Sequence, residues 1–290
     1  MSRTAAETPV WPGGASCAAS FTFDVDAESA ALSAAPTSAQ RMSVMSHQNY
    51  GPLVGVPRLL RMLDRAGLRS TFFVPGFTAL RHERVVRDIV AAGHEIAHHG
   101  FLHEPWGQLT LEEEVDALDR GIEVLERIAG SRPVGFRAPL WDLNWRTPEL
   151  LRARGFLYDS SLMDADVPYR LSTEGGSIVE VPIQWGLDDW EQYCFIPGVY
   201  ETGVIVSPDQ AVATWRAEYQ ATRTDNGCFV LTNHPFLSGR PGRAAALEAL
   251  VTEIAADPLT WVAPLEEIAR FIESTGSEPR SIDRPANPTR

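Results

Sequence analysis

Ala18-Ala19-Ser20-Phe21-Thr22-Phe23-Asp24-Val25 is a run of small and aromatic residues with a carboxylate, Asp24, next to its end and a second, Asp26, directly after it. Such a run, bounded by polar residues, favours a β-strand. A doubly wound dinucleotide fold would place a glycine-rich loop after a strand of this kind. Here the chain continues Ala27-Glu28-Ser29. Outward from this strand, β-type runs recur at Ser70–Val74, Glu95–His98, Val134–Arg137, Leu157–Ser160, Ser177–Ile183, Cys228–Thr232 and Trp261–Ala263. Helical patterns lie between them, at Val56–Ala66, Glu83–Ala92, Leu111–Ile128, Thr147–Ala153, Pro208–Thr224, Arg243–Ala256 and Leu265–Ser274. Thr110 with Glu113 has the form of a capping box, and Gly93 suits the residue just past a helix end. Strand–helix alternation implies a parallel sheet covered by helices. The expected fold is α/β, a distorted (β/α) barrel of seven or eight strands, with an open doubly wound sheet as runner-up.

No repeat or low-complexity linker interrupts this alternation. The reading is therefore one catalytic domain over residues 16–275, with polar, proline-rich flexible segments at 1–15 and 276–290. Ser29–Pro52 reads as a long insertion after the first strand, of the kind that forms lids or binding loops. The 290-residue chain is 44% apolar and 22% charged, with a net charge of −13. Its arginines are scattered, so no basic face for nucleic acid is expected. No stretch is long and apolar enough to span a membrane, and Met1–Gly14 lacks the apolar core of an export signal. A cytoplasmic protein is the expectation, with room for a homo-oligomer. Cys17, Cys194 and Cys228 are odd in number and widely spaced, which reads as buried thiols.

The residues at the strand ends carry the chemistry. Asp24 and Asp26, two apart on a strand, point to one side. Two close carboxylates both stay ionised only beside a cation, which suggests one general base and one metal ligand. His94-Glu-Ile-Ala-His98 matches the zinc-protease H-E-x-x-H letter for letter. That motif needs a helix, whereas Glu95–His98 belongs to a strand, where the two rings would lie roughly 13 Å apart. The pair His99 and His103 follows the strand end, and Gly100 permits the turn that brings them together. Asp26, His99 and His103 thus form a three-ligand set with an open position, suited to zinc, with cobalt or nickel also compatible. His98 reads as a packed residue.

The motifs Phe21-Thr-Phe-Asp-Val-Asp26, His99-Gly-Phe-Leu-His103, Gly135-Phe-Arg-Ala-Pro139 and Leu231-Thr-Asn-His-Pro235, spread over residues 17–270, resemble those of the polysaccharide deacetylase family, carbohydrate esterase family 4. The branch it resembles holds intracellular peptidoglycan-deacetylase-like and allantoinase- or imidase-like proteins. Many members carry adjacent aspartates followed by glycine; here Val25 separates them and Ala27 follows. The resemblance implies Asp24 as general base and Asp26, His99 and His103 as metal ligands. It further implies Arg137 orienting Asp24, His234 as general acid, and Asp159 holding the His234 imidazole. The implied reaction is hydrolysis of a non-peptide carbon–nitrogen bond, deacetylation of an N-acetylated sugar or polysaccharide. The alternatives are a cyclic amide or ureide hydrolase and, from another class, a catalytically silent sugar-binding protein. Either enzyme reading expects a small-molecule or carbohydrate amide as partner. Trp106, Trp141, Trp145, Trp185 and Trp190 fall in loops after strands, where rings could stack on such a substrate.

Overall fold

The computed structural model describes residues 9–201 and 205–286. In chain order the elements are β1 (Cys17–Asp24), α1 (Glu28–Ala34), α2 (Met42–Tyr50), α3 (Val56–Ala66), β2 (Thr71–Val74), α4 (Gly76–Arg81), α5 (Glu83–Ala91), β3 (Glu95–His98) and α6 (Leu111–Ala129). They continue as β4 (Gly135–Phe136), α7 (Thr147–Ala153), β5 (Tyr158–Asp159), β6 (Tyr169–Thr173), β7 (Gly176–Glu180), α8 (Asp189–Tyr193), β8 (Phe195–Ile196) and β9 (Tyr200–Glu201). The last are α9 (Pro208–Thr224), β10 (Cys228–Asn233), α10 (Pro241–Ala255), β11 (Thr260–Val262) and α11 (Leu265–Ser274).

The main sheet runs β10-β1-β2-β3-β4-β5-β7-β6, with β11 also paired to β1. Every pairing is parallel except that of β6 with β7. The sheet curls into an incomplete barrel, so the distorted (β/α) barrel is the fold. A parallel bridge between Asp188 and Thr232 reaches across its open side. All eight residues of β1 are buried, as expected for a parallel strand covered on both faces. The period of two sorts them. Phe21 and Phe23 join the helix-facing core with Phe72, Leu59, Leu63, Phe229 and Leu231. Ser20, Thr22 and Asp24 point the other way, into the lumen. Phe23 stacks on Phe72 with ring centroids 4.8 Å apart. Each such aromatic burial stabilises the fold by roughly 1.5–3 kcal/mol.

Three expectations are corrected. Ser29–Pro52 is no structureless insertion: α1, a 3₁₀ stretch Pro36–Gln40, α2 and a π-turn Gly51–Gly55 occupy it. Alanine-rich Glu28–Ala34 has the propensity for helix, but neither α1 nor α2 has a side-chain cap to announce it. Strand β6, which pairs with β7 in the expected Ser177–Ile183 stretch, and the small hairpin β8–β9 add strands that the pattern did not give. The ends of the domain also reach further than residues 16 and 275. Trp11 is buried, packs on Trp261 and Phe271, and donates its indole N–H to the Asn226 carbonyl at 3.0 Å. At the other end the Arg280 backbone N–H donates to the Arg170 carbonyl, and its guanidinium pairs with Asp164 at 2.8 Å. Residues 1–8 and 287–290 of the segments read as flexible lie outside the described residues.

Trp11→Ala is accordingly expected to lower stability by about 3–5 kcal/mol, the usual cost of emptying a buried indole site. Urea unfolding measures this; an unchanged midpoint would mean the segment does not pack as described. Among the described residues no disulfide joins Cys17, Cys194 and Cys228. No helix of those residues is long and apolar enough to cross a membrane.

Candidate active site

Register brings the strand ends to one level. Asp24 pairs with Phe73, Phe73 with Ala97, His98 with Phe136, and Phe136 with Asp159. Residues just past those positions therefore share a rim. Beyond β1 the Asp26 carbonyl accepts from the Ser29 and Thr78 hydroxyls, each at 2.6 Å. These bonds and the positive φ of Ala27 (48°) fix the Asp26 backbone. The turn after β3 is built by Gly100, at φ 70°, and Glu104, whose carboxylate accepts from the Phe101 and Leu102 N–H groups at 2.9 and 2.8 Å. His103, itself at φ 57°, is thereby folded back until its ring lies 5.1 Å from that of His99.

The Asp26 carboxylate faces three imidazoles. His99 Nε2 lies 3.5 Å from Oδ1; His103 Nε2 and His234 Nε2 each lie 3.6 Å from Oδ2. Neither Asp26 oxygen has a hydrogen-bond partner, although the residue is buried. Burial pushes this carboxyl up; His234 and His99 oppose the shift while Asp24 adds to it. Burial lowers His99 and His103 to about 4, so both rings are neutral at pH 7, the form that binds metal. His99 Nδ1 donates to the Arg137 carbonyl at 2.8 Å, which leaves Nε2 facing Asp26 as an acceptor. Ligand atoms of Asp26, His99 and His103 lie within 4.8 Å of one another. A buried carboxylate lacking donors, beside two neutral rings, fits a divalent cation.

Arg137 lies under this group, fully buried. Its Nη1 donates to Asp24 Oδ1 at 2.8 Å and to the hydroxyls of Thr22 and Thr232 at 2.9 and 3.2 Å. Nε and Nη2 donate to the Ser160 carbonyl and hydroxyl at 3.1 and 3.0 Å, and the guanidinium covers the Phe73 ring at 4.1 Å. Burial works to raise Asp24, but Arg137, His99 and His234 outweigh it and hold the carboxyl below its ordinary value. Asp24 is thus ionised, with Oδ2 turned towards His99 Nε2 at 3.9 Å.

His234 follows β10 and is held by residues absent from the sequence-derived set. Its Nδ1 donates to Asp189 Oδ1 at 2.7 Å, and Asp188 Oδ1 lies 3.4 Å away. Asp189 also accepts from the His234 and Ser238 N–H groups and the Ser238 hydroxyl. Asp188, Asp189 and His234 are close enough to hold a metal, but Asp189 is saturated with donors, so this trio reads as a hydrogen-bond network. Burial would lower His234; Asp188, Asp189 and Asp26 override it and raise the imidazole to about 10. The expected partner, Asp159, is elsewhere. It accepts from the Ser161 hydroxyl at 2.7 Å and sits against Glu180, a residue that burial and Asp159 push well up. The only cue to Asp188–Asp189 was a pair of acids before Trp190.

His98 is packed: Nε2 donates to the Leu118 carbonyl at 3.2 Å and Nδ1 accepts from the Gly100 N–H at 3.1 Å. His94 sits at the opposite end of β3, accepting from the Ser70 N–H at 3.2 Å. A cavity of 210 Å³ opens over Asp24, Asp26, His99, His103 and His234. Trp141, Trp185 and Trp190 line it, the first two stacked at 4.5 Å, and Leu140, Asp188, Glu191 and Tyr200 complete its wall. Trp106 does not; it is core, with its indole N–H donated to Glu114 at 2.8 Å. Trp145, about half exposed at 52%, is not among the lining residues either.

Residues 38–158 match the family model described as polysaccharide deacetylase, a span that includes His99, His103 and Arg137 but not Asp24, Asp26 or His234. A peptidoglycan deacetylase-like protein of Gibberella zeae is 31% identical over 79% of this chain and 78% of its own. A crystal structure of a candidate polysaccharide deacetylase from Mycobacterium smegmatis is 54% identical, covers 98% of this chain and 99% of that one, and superposes with a TM-score of 0.96. The crystal structure of Puue allantoinase is 26% identical over 92% of this chain and 94% of that one, with a TM-score of 0.80.

Proposed function

This chain belongs to the polysaccharide deacetylase family, a family of hydrolases acting on amide carbon–nitrogen bonds, and from that premise we propose that it deacetylates an N-acetylated sugar. The observation that carries the proposal is the Asp26 carboxylate, buried without a donor, with Asp24 held by Arg137 on one side and His234 held by Asp189 on the other. A divalent ion held by Asp26, His99 and His103, zinc in our reading, would supply a polarised carbonyl and a more acidic water. Asp24 Oδ2 faces the cavity and accepts the proton of the attacking water, while Arg137 keeps the carboxylate charged and oriented. His234 Nε2 donates its proton to the departing nitrogen, a step an amide requires because the free amide anion is too basic to leave. Asp189 fixes the ring and its tautomer through Nδ1. Trp141 and Trp185 offer an apolar wall against which a sugar ring packs.

A second reading, opening of a cyclic amide or ureide, is favoured by the likeness to the allantoinase structure and by the small cavity. Metal-loaded protein assayed on N-acetylglucosamine oligomers and on allantoin separates the two. Acetate release is expected; ring opening without acetate would transfer the assignment, and turnover of neither would support a sugar-binding protein instead.

Asp189→Asn tests the acid. Removing one of the carboxylates that raise His234 lowers its pKa, so the alkaline fall of kcat/KM moves to lower pH. A profile whose alkaline limb stays in place would exclude the Asp189–His234 pair from catalysis.

A further inference from the structure

A second cleft, of 340 Å³, lies away from the hydrolytic residues, between His47, Tyr193, Phe195, Arg240 and Arg243. We propose that it is a binding site for an oxyanion, a phosphate group on a small molecule or free in solution. In a chain of net charge −13, the cleft gathers two guanidiniums. Neither Arg240 nor Arg243 has a carboxylate within 4.0 Å among the described residues, whereas ion pairs engage Arg65, Arg81, Arg137, Arg216 and Arg223. Two unpaired cations on one wall repel each other, and an anion between them removes that cost.

Their geometry is set in advance. The Arg240 guanidinium carbon lies over the Tyr50 ring, 3.5 Å from its centroid, and that of Arg243 lies over the Tyr193 ring at 4.2 Å. A ring contact of this kind holds a guanidinium in place without using its N–H donors, which can pair two at a time with phosphate oxygens. Arg243 spends one weak bond, at 3.4 Å, on the Leu237 carbonyl. His47 stands edge-on to Phe236 at 5.2 Å. Burial and the two arginines push its pKa down, which leaves a neutral ring able to donate to an anion oxygen. No side chain caps α10 where it enters the cleft, and a side chain built at Gly242 would meet open space. Negative charge there is also favoured by the helix dipole. Tyr193 ends α8, the helix that Asp189 begins.

Titrating metal-loaded protein with inorganic phosphate by calorimetry is expected to give saturable binding with Kd on the order of 1 mM. The double variant Arg240→Gln/Arg243→Gln is expected to weaken it at least about tenfold, a loss of roughly 1.4 kcal/mol. Asp26→Asn, which disables the hydrolytic site, is expected to leave it unchanged. A phosphomonoester that binds more tightly than phosphate would identify a bound metabolite, and equal affinities free phosphate. Absence of saturable binding overturns the proposal, and so does binding lost in Asp26→Asn but kept in the double variant. Should the double variant not fold, the His47 ring resonances of the unaltered protein decide: a saturable shift supports the site and fixed resonances refute it.

Discussion

His99→Ala is expected to strip the divalent ion and to lower kcat/KM by on the order of 10³-fold, about 4 kcal/mol of transition-state stabilisation. The size follows from the geometry. His99 Nε2 is one of three donor atoms in the group, it stands 3.5 Å from Asp26, and its tautomer is fixed from behind by the Arg137 carbonyl. Alanine leaves Asp26 and His103 as the remaining pair. Burial already pushes the Asp26 carboxyl up, so without a cation it takes a proton more readily and ligates less. Elemental analysis of the purified variant beside the steady-state assay checks both parts. Wild-type metal content with a wild-type rate would remove His99 from the site.

Asp24→Asn separates base from ligand. The variant is expected to keep its metal and lose activity by roughly 10²–10⁴-fold, the range for removing a positioned general base. An amide in this place can still accept from Arg137 Nη1 but cannot take up a proton. It also leaves the buried Arg137 charge uncompensated, so unfolding should be easier by about 3–5 kcal/mol. Loss of stability without loss of rate would make Asp24 a structural partner of Arg137. Loss of metal in Asp24→Asn, with metal kept in Asp26→Asn, would exchange the two roles.

How far the chain could be read depended on the range of the interactions. Val56–Ala66 and Thr147–Ala153 form helices at the bounds their periodicity gives, because an apolar stripe and a first-turn proline are local signals. Glu95–His98 is likewise a strand, and its rise alone was enough to separate His94 from His98. The helices within Ser29–Pro52 escaped because they lack caps and α2 lacks a clear apolar face. β6 escaped because its five residues hold together chiefly by pairing with β7, through a turn at Glu174-Gly175.

The sequence by itself determined the strand ends and their side chains. Asp24 and Asp26 share a side by the period of two, and Gly100 with its positive φ lets His99 and His103 turn together. Those are consequences of backbone geometry over a few residues. Only the tertiary structure decided which acid holds His234. Asp159 and Asp189 both follow β-rich segments and look alike as residues, but the choice depends on which loop crosses the open side of the barrel. The bridge between Asp188 and Thr232 brings α8 to β10 and sets Asp189, 45 residues before His234, within 2.7 Å of its ring. Asp159 is turned instead towards Ser161 and Glu180.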